Sequence, residues 1–207
     1  MSGDAAARDA VVLVTGLPRA GTSLAMQMLA AGGVPLLVDD ARPPDASNPR
    51  GYLEYAPVRA IARDAAFVAR ARGRAVKVVA PLLRHLPAGE RYVAIWMERD
   101  LGEVLASQAA MLARAARDPA TPGDTEPEDA ALRRAFASSA ARGAAALDAL
   151  GARVLRVDHA ALLCDPTGVA ARMASHLARE AGLALDARAA AAAVDPALWR
   201  ERREAIR

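Results

Sequence analysis

Gly16 and Gly21 bracket a short loop, Leu17-Pro18-Arg19-Ala20, that follows an apolar run and leads through Thr22 and Ser23 into a helical pattern. Without a Cβ, the two glycines let the backbone curl with its N–H groups inward, and the first turn of the next helix adds unpaired donors facing the same hollow. Such a hollow binds an anion, and Arg19 supplies a positive charge within it. Lys77 is the single lysine of the chain, set in a β-branched run, where every other basic side chain of this kind is arginine. Its compact ammonium can meet a phosphate or leaving-group oxygen, or else snorkel from an edge strand. Arg99 closes another apolar run, and Ser107 follows two turns into a helix, so both reach one anion only if it lies beside that helix. Glu54 stands between Tyr52 and Tyr55 in a chain with only 3% aromatics. It is placed either to take a proton from a substrate pocketed by the tyrosines or to complement the N-terminus of the following helix.

Strands and helices must bring these groups together. Ala10 to Thr15 reads as a strand buried on both faces of a parallel sheet, Ala75 to Ala80 and Arg91 to Met97 as two further strands beside it and Arg153 to Val157 as a fourth, with Val34 to Val38 as a short fifth. Helices are expected from Thr22 to the Gly32-Gly33 pair and from Pro57, with Val58, Ile61, Ala65 and Val68 as its stripe, to Gly73. A third follows Asp100, which with Glu103 forms a capping box, and buries Leu101, Val104, Leu105 and Leu112. Glu128 to Leu150 and Asp158 to Ala181, broken at Asp165-Pro166, complete the helical pattern. Segments 39–51 and 118–129 are rich in Pro and Asp without periodicity and read as mobile substrate-side loops. Strands alternating with helices predict an α/β fold: one domain over 1–207, a three-layer α/β/α sandwich with a central parallel sheet of four to five strands, behind a polar leader at 1–9.

Composition narrows the function. The net charge is only +3, with arginines scattered along helices, so nucleic acid is not implied and an anionic small ligand fits equally well. A lone Cys164 excludes an intrachain disulfide, and no cysteine–histidine cluster suggests zinc. The polar start is unlike a secretory signal, and no apolar run approaches the roughly 20 residues of a membrane helix. A soluble cytoplasmic protein is the expectation.

The loop spacing is that of the Walker A pattern, with Thr22 where that pattern has lysine. Taken together, the motifs resemble the sulfotransferase family, enzymes with a P-loop NTPase-like fold that transfer a sulfuryl group from 3′-phosphoadenosine 5′-phosphosulfate (PAPS). Pro18-Arg19-Ala20-Gly21-Thr22-Ser23 looks like the family's 5′-phosphosulfate loop. Asn48-Pro49-Arg50-Gly51-Tyr52-Leu53-Glu54 is similar to an Asn-Pro-x-Gly-aromatic-x-Glu segment of bacterial members. Met97-Glu98-Arg99-Asp100 with Ser107 resembles the 3′-phosphate motif. Val157-Asp158-His159-Ala160-Ala161-Leu162-Leu163, before Asp165-Pro166, resembles a later segment usually written Tyr-Glu-Asp-Leu.

The resemblance implies PAPS as co-substrate, no metal, and a small-molecule acceptor bearing a hydroxyl or amine. It implies neither nucleic acid nor membrane as partner and allows a homodimer. Arg19 to Ser23 and Lys77 would hold the 5′-phosphosulfate, Arg99 and Ser107 the 3′-phosphate, and Glu54 would act as general base. Several features depart from the family. Val79 stands where many members have a histidine base, and Ala20 replaces a usual serine. No adenine-stacking aromatic is evident, and the C-terminal Arg-Lys-Gly loop has no counterpart beyond Arg200, Arg202 and Arg203. His85, His159 and His176 read as structural or surface residues, with His85 the nearest replacement base. Two other readings stay open. One is a P-loop kinase or nucleotide hydrolase, with Glu98 and Asp158 at strand ends as Mg²⁺ ligands; the other is a non-catalytic nucleotide-binding protein that has lost the base.

Overall fold

β-Branched and leucine-rich runs in this chain pair as a single parallel sheet, because their alternate residues are apolar on both sides and need a layer on each. The structure, a computed structural model, describes residues 9–45, 48–116 and 126–195. Residues 1–8, the 118–129 loop up to residue 125, and Trp199 with Arg200, Arg202 and Arg203 lie outside them. Four strands, β1 Val11–Gly16, β2 Ala75–Lys77, β3 Tyr92–Glu98 and β4 Arg153–Asp158, lie in the order β2-β1-β3-β4, all parallel. The helices are α1 Thr22–Ala31, α2 Phe67–Arg70, α3 Leu101–Ala116, α4 Glu126–Ala149, α5 His159–Cys164, α6 Pro166–Ala181 and α7 Ala187–Ala192. Two 3₁₀ segments, Ala56–Ala60 and Ala80–His85, complete the regular structure.

Alternation along the strands builds the three layers. Val12, Val14, Val93, Ile95 and Met97 face one way, packing on Met28 and Leu29 of α1, Leu162 of α5 and Met173 and Leu177 of α6. Val11, Leu13, Tyr92, Ala94 and Trp96 face the other, packing on Val58, Phe67, Leu83 and Leu147 of α4. Each fully buried Val or Leu contributes roughly 1.5–3 kcal/mol, so β1, buried along all six residues, is the rod on which both cores rest. The chain leaves β1 toward β2 on one side and later enters β3 on the other. A crevice therefore opens beyond the C-terminal ends of β1 and β3, the usual ligand position in such sheets.

Four details differ from the pattern-based expectation. Val34 to Val38 is no strand: Pro35 lacks an N–H, and Leu36 makes a single bridge to Ala75. The second strand stops at Lys77, with Pro81 starting the Ala80–His85 segment immediately beyond. The stripe after Pro57 splits into the first 3₁₀ segment and the short α2, and its apolar residues Val58, Ile61 and Val68 are nonetheless buried. Leu112, expected in the core, is exposed. The capping of α3 is as read, with the Glu103 N–H donating to Asp100 Oδ1 at 3.1 Å. Among the described residues no helix is long and apolar enough to cross a membrane.

Candidate functional site

Three backbone positions with positive φ set the loop between β1 and α1. Gly16, at φ 143°, runs so close to β3 that a Cβ would sit 2.5 Å from the Met97 carbonyl oxygen. Arg19 adopts φ 70°, left-handed backbone that non-glycine residues rarely take. Gly21, at φ 98°, precedes α1, which has no side-chain cap on its N-terminal donors. The Ala20 N–H is used by a turn to the Leu17 carbonyl at 3.1 Å, so of the expected donors from Arg19 to Ser23 this one is directed into the loop itself.

Side chains from α3 and its approach hold that loop. Arg99 Nη1 donates to the Arg19 carbonyl at 3.2 Å, and Arg99 Nε donates to Glu103 Oε2 at 2.9 Å. Arg19 in turn donates through Nε to Ser107 Oγ at 3.1 Å and reaches the Met111 sulfur. The structure thus brings Arg19, Arg99 and Ser107 into one cluster across 88 residues of sequence. His159, the first residue of α5, is buried against Gly21, where a Cβ would lie 2.6 Å from the imidazole Cδ2. Burial first, then the Arg99 charge, pull the His159 pKa down to about 4, so its ring is neutral at physiological pH. Reading it as structural or surface missed that it lines the cleft.

Lys77 forms a second cluster. Its side chain is 4% exposed, and its ammonium donates to Ser23 Oγ at 3.0 Å and to the Tyr52 carbonyl, with Glu54 Oε1 at 3.8 Å. Two hydrogen bonds and one ion pair thus hold the ammonium. Leu53, at φ 50°, turns the backbone sharply between Tyr52 and Glu54, so that a carbonyl and a carboxylate both reach one lysine. Glu54 also pairs with Arg42 and Arg59, each at 3.1 Å. The tyrosines do not enclose it. Tyr52 is buried with its hydroxyl on Asp45 and its ring beneath the Arg42 guanidinium at 3.3 Å, and Tyr55 packs edge-on against Phe67.

Burial pulls the Lys77 pKa down to about 8, with Glu54 opposing that shift and Arg42 and Arg19 adding to it. Below pH 8 the ammonium is charged; above it the charge is lost. Inorganic sulfate, whose own charge is constant in this range, is expected to bind with pH-independent affinity below about pH 8. Its affinity should then fall by up to tenfold per pH unit above that point. Isothermal titration across pH 6–10 checks this, and Lys77→Met should remove the break.

Both clusters line one open cleft of about 340 Å³ at the crevice, with Pro18, Gly21, Thr22, Leu24, Gln27, Asn48, Val79, Leu163 and Asp195 completing its wall. His85 lies outside this lining, at the end of its 3₁₀ segment, where it accepts from Arg84 Nε. Glu98 pairs with Arg156 at 2.6 Å, and Asp158 caps α5 by accepting from the Ala161 N–H; neither lines the cleft. Among the described residues no cluster of three or more His, Cys, Asp or Glu side chains could hold a metal ion. Arg42, Gln27 and Asp195 lacked any sequence signal, because they come from an unpatterned loop, a helix flank and the chain's last described residue. Compared with known proteins, the chain matches no family model and no curated protein.

Proposed function

We propose that the chain is a sulfotransferase that moves a sulfuryl group from PAPS to a hydroxyl or amine of a small acceptor. The observation that carries this reading is the convergence of Arg19, Lys77, Arg99 and Ser107 on one cleft beside the uncapped N-terminus of α1. Two of these cations are nearly buried, with 4% of the Lys77 and 9% of the Arg99 side chain exposed. Each keeps a carboxylate beside it, Glu54 at Lys77 and Glu103 at Arg99, and the set of donors facing the cleft suits two phosphate-like groups. The α1 terminus, Arg19 and Lys77 would hold the 5′-phosphosulfate. Arg99 and the Ser107 hydroxyl, which accepts from Arg19 and keeps its proton to donate, would hold the 3′-phosphate. Leu24, Leu163 and the neutral His159 ring line the same cleft and offer the nucleobase an apolar seat without an aromatic stack.

When bound, the nucleotide supplies a sulfuryl group activated by its link to phosphate. The chain's residues supply positioning and charge, which carry most of the rate in such transfers. Arg19, Lys77 and the helix N–H groups balance negative charge at the loop. Glu54 takes the acceptor's proton at a carboxylate oxygen. For a Mg²⁺-dependent kinase, the strand-end carboxylates Glu98 and Asp158 would have to leave Arg156 and the α5 cap, so nothing favours that reading.

Calorimetry tests the proposal. With EDTA present, adenosine 3′,5′-bisphosphate is expected to bind, and more tightly than ADP. ATP binding that requires Mg²⁺, with no bisphosphate binding, would overturn it in favour of the kinase. PAPS binding with no turnover across a broad acceptor panel would leave only a nucleotide-binding protein.

A further inference from the structure

Three cations share the Glu54 carboxylate. Arg42 Nη1 and Lys77 Nζ lie 3.1 and 3.8 Å from Oε1, and Arg59 Nη2 lies 3.1 Å from Oε2. The other acids of the neighbourhood are directed elsewhere. Asp39 accepts from the N–H groups of Ala41 and Ala56, Asp45 from the Tyr52 hydroxyl, and Asp195 from Arg50. Three cations therefore share the one Glu54 carboxylate, while Asp39 and Asp45 keep their own charge on neutral donors. Of the three cations, Lys77 is turned toward the α1 end of the cleft through Ser23, and Arg59 lies outside the cleft lining. Arg42 is different. It lines the cleft, its side chain is 36% exposed, and its guanidinium carbon sits 3.3 Å over the Tyr52 ring while one nitrogen bonds Glu54. A planar, oriented, partly exposed guanidinium is the side chain best suited to grip a carboxylate through two parallel hydrogen bonds.

We infer that the acceptor carries a carboxylate close to its reacting hydroxyl or amine, and that Arg42 is the residue that takes it. This rests on the transfer reading above and names the substrate class for its second end. The exchange has a consequence for the base. One carboxylate replaces another at Arg42, so little electrostatic stabilisation is lost there, while Oε1 of Glu54 loses a competing donor and gains a free lone pair. Arg59 and Lys77 keep the carboxylate in place. Seating an acidic acceptor thus readies Glu54, whereas a neutral acceptor leaves Arg42 on the oxygen that the proton needs.

The test compares acids with neutral counterparts of the same skeleton: glucuronate with glucose, 4-hydroxyphenylacetate with 4-hydroxyphenylethanol, and 3-hydroxybutyrate with butane-1,3-diol. Binding to the intact, nucleotide-free chain is measured by ligand-observed NMR, with inorganic sulfate added to fill the loop. In at least one pair the acid is expected to bind tenfold or more tightly than its counterpart. Arg42→Leu should abolish that preference and Arg42→Lys should restore part of it. Three results would each overturn the inference: no acid preference in any pair, a preference that survives Arg42→Leu, or acids that sulfate displaces. Because no nucleotide is needed, a chain that keeps the Arg42-dependent preference but fails to bind PAPS sinks the transfer reading alone.

Discussion

Glu54→Gln is expected to lower turnover by about 10²-fold or more, the scale of a lost general base, while the chain should still bind adenosine 3′,5′-bisphosphate. Glutamine has the shape of glutamate, so the turn at Leu53 and the Tyr52 carbonyl contact to Lys77 are retained. What disappears is the charge shared by Arg42, Arg59 and Lys77. That loss has its own signature. The Glu54 charge is what holds the Lys77 pKa up against burial, so the break in sulfate affinity moves below pH 8 in the variant. A scaffold role alone would move the break and spare turnover; a base role moves both. Stopped-time assays of bisphosphate release, paired with the pH titration, separate the two. Undiminished turnover would transfer the proton-accepting role to the neutral His159 ring, since His85 lies outside the cleft.

Arg99→Ala is expected to produce two losses that can be uncoupled. Arg99 and Glu103 are nearly buried together, 9% and 10% exposed at the side chain. Removing one member of such a pair costs about 3–5 kcal/mol, a fall in Tm on the order of 10 °C for a chain of this length. The variant should also lose its preference for nucleotides bearing a 3′-phosphate, by tenfold or more, while those without it bind nearly as before. Arg99→Ala combined with Glu103→Ala recovers most of the Tm and none of the preference. Differential scanning calorimetry and titration with paired nucleotides read the two effects. A double variant that regains the 3′-phosphate preference would show that Arg99 acts only as a prop for the loop, through its bond to the Arg19 carbonyl.

The sheet was legible because its central strands are apolar on both faces, a pattern that only a layer on each side can satisfy; Val11 to Val14 and Tyr92 to Met97 alternate between the two cores as that pattern requires, while the edge strand β4 exposes Arg153 and Arg156. Local chemistry explains where reading by pattern failed. Pro35 interrupts a run that otherwise looks like a strand, and the residues after Pro57 satisfy a helical stripe while burying it through shorter turns. In the site, Lys77 stood out as a lone strand lysine that is costly to bury without a partner, Arg19 by its place in the glycine-bracketed loop, and Arg99 with Ser107 only through the family resemblance, their spacing alone being weak. His159 and Arg42 were not. One follows a strand like any other helix-start residue, and the other sits in a loop without period. Their places depend on tertiary approach, the imidazole on Gly21 and the guanidinium on Tyr52.

The two ends of the cleft are built on different plans. The Arg19 cluster draws on β1, α1, α3 and α5, and its parts are locked by contacts across 80 to 88 residues. The Glu54 cluster, apart from Lys77, comes from the single segment between Asp39 and Arg59, closed at its base by the Asp39 N–H on the Glu54 carbonyl. A change in the first plan needs several elements to move in concert. The second can be lengthened, shortened or exchanged within one stretch of chain, as surface loops tolerate. Related chains are therefore expected to diversify by editing that one segment, with the half assembled from several elements inherited intact.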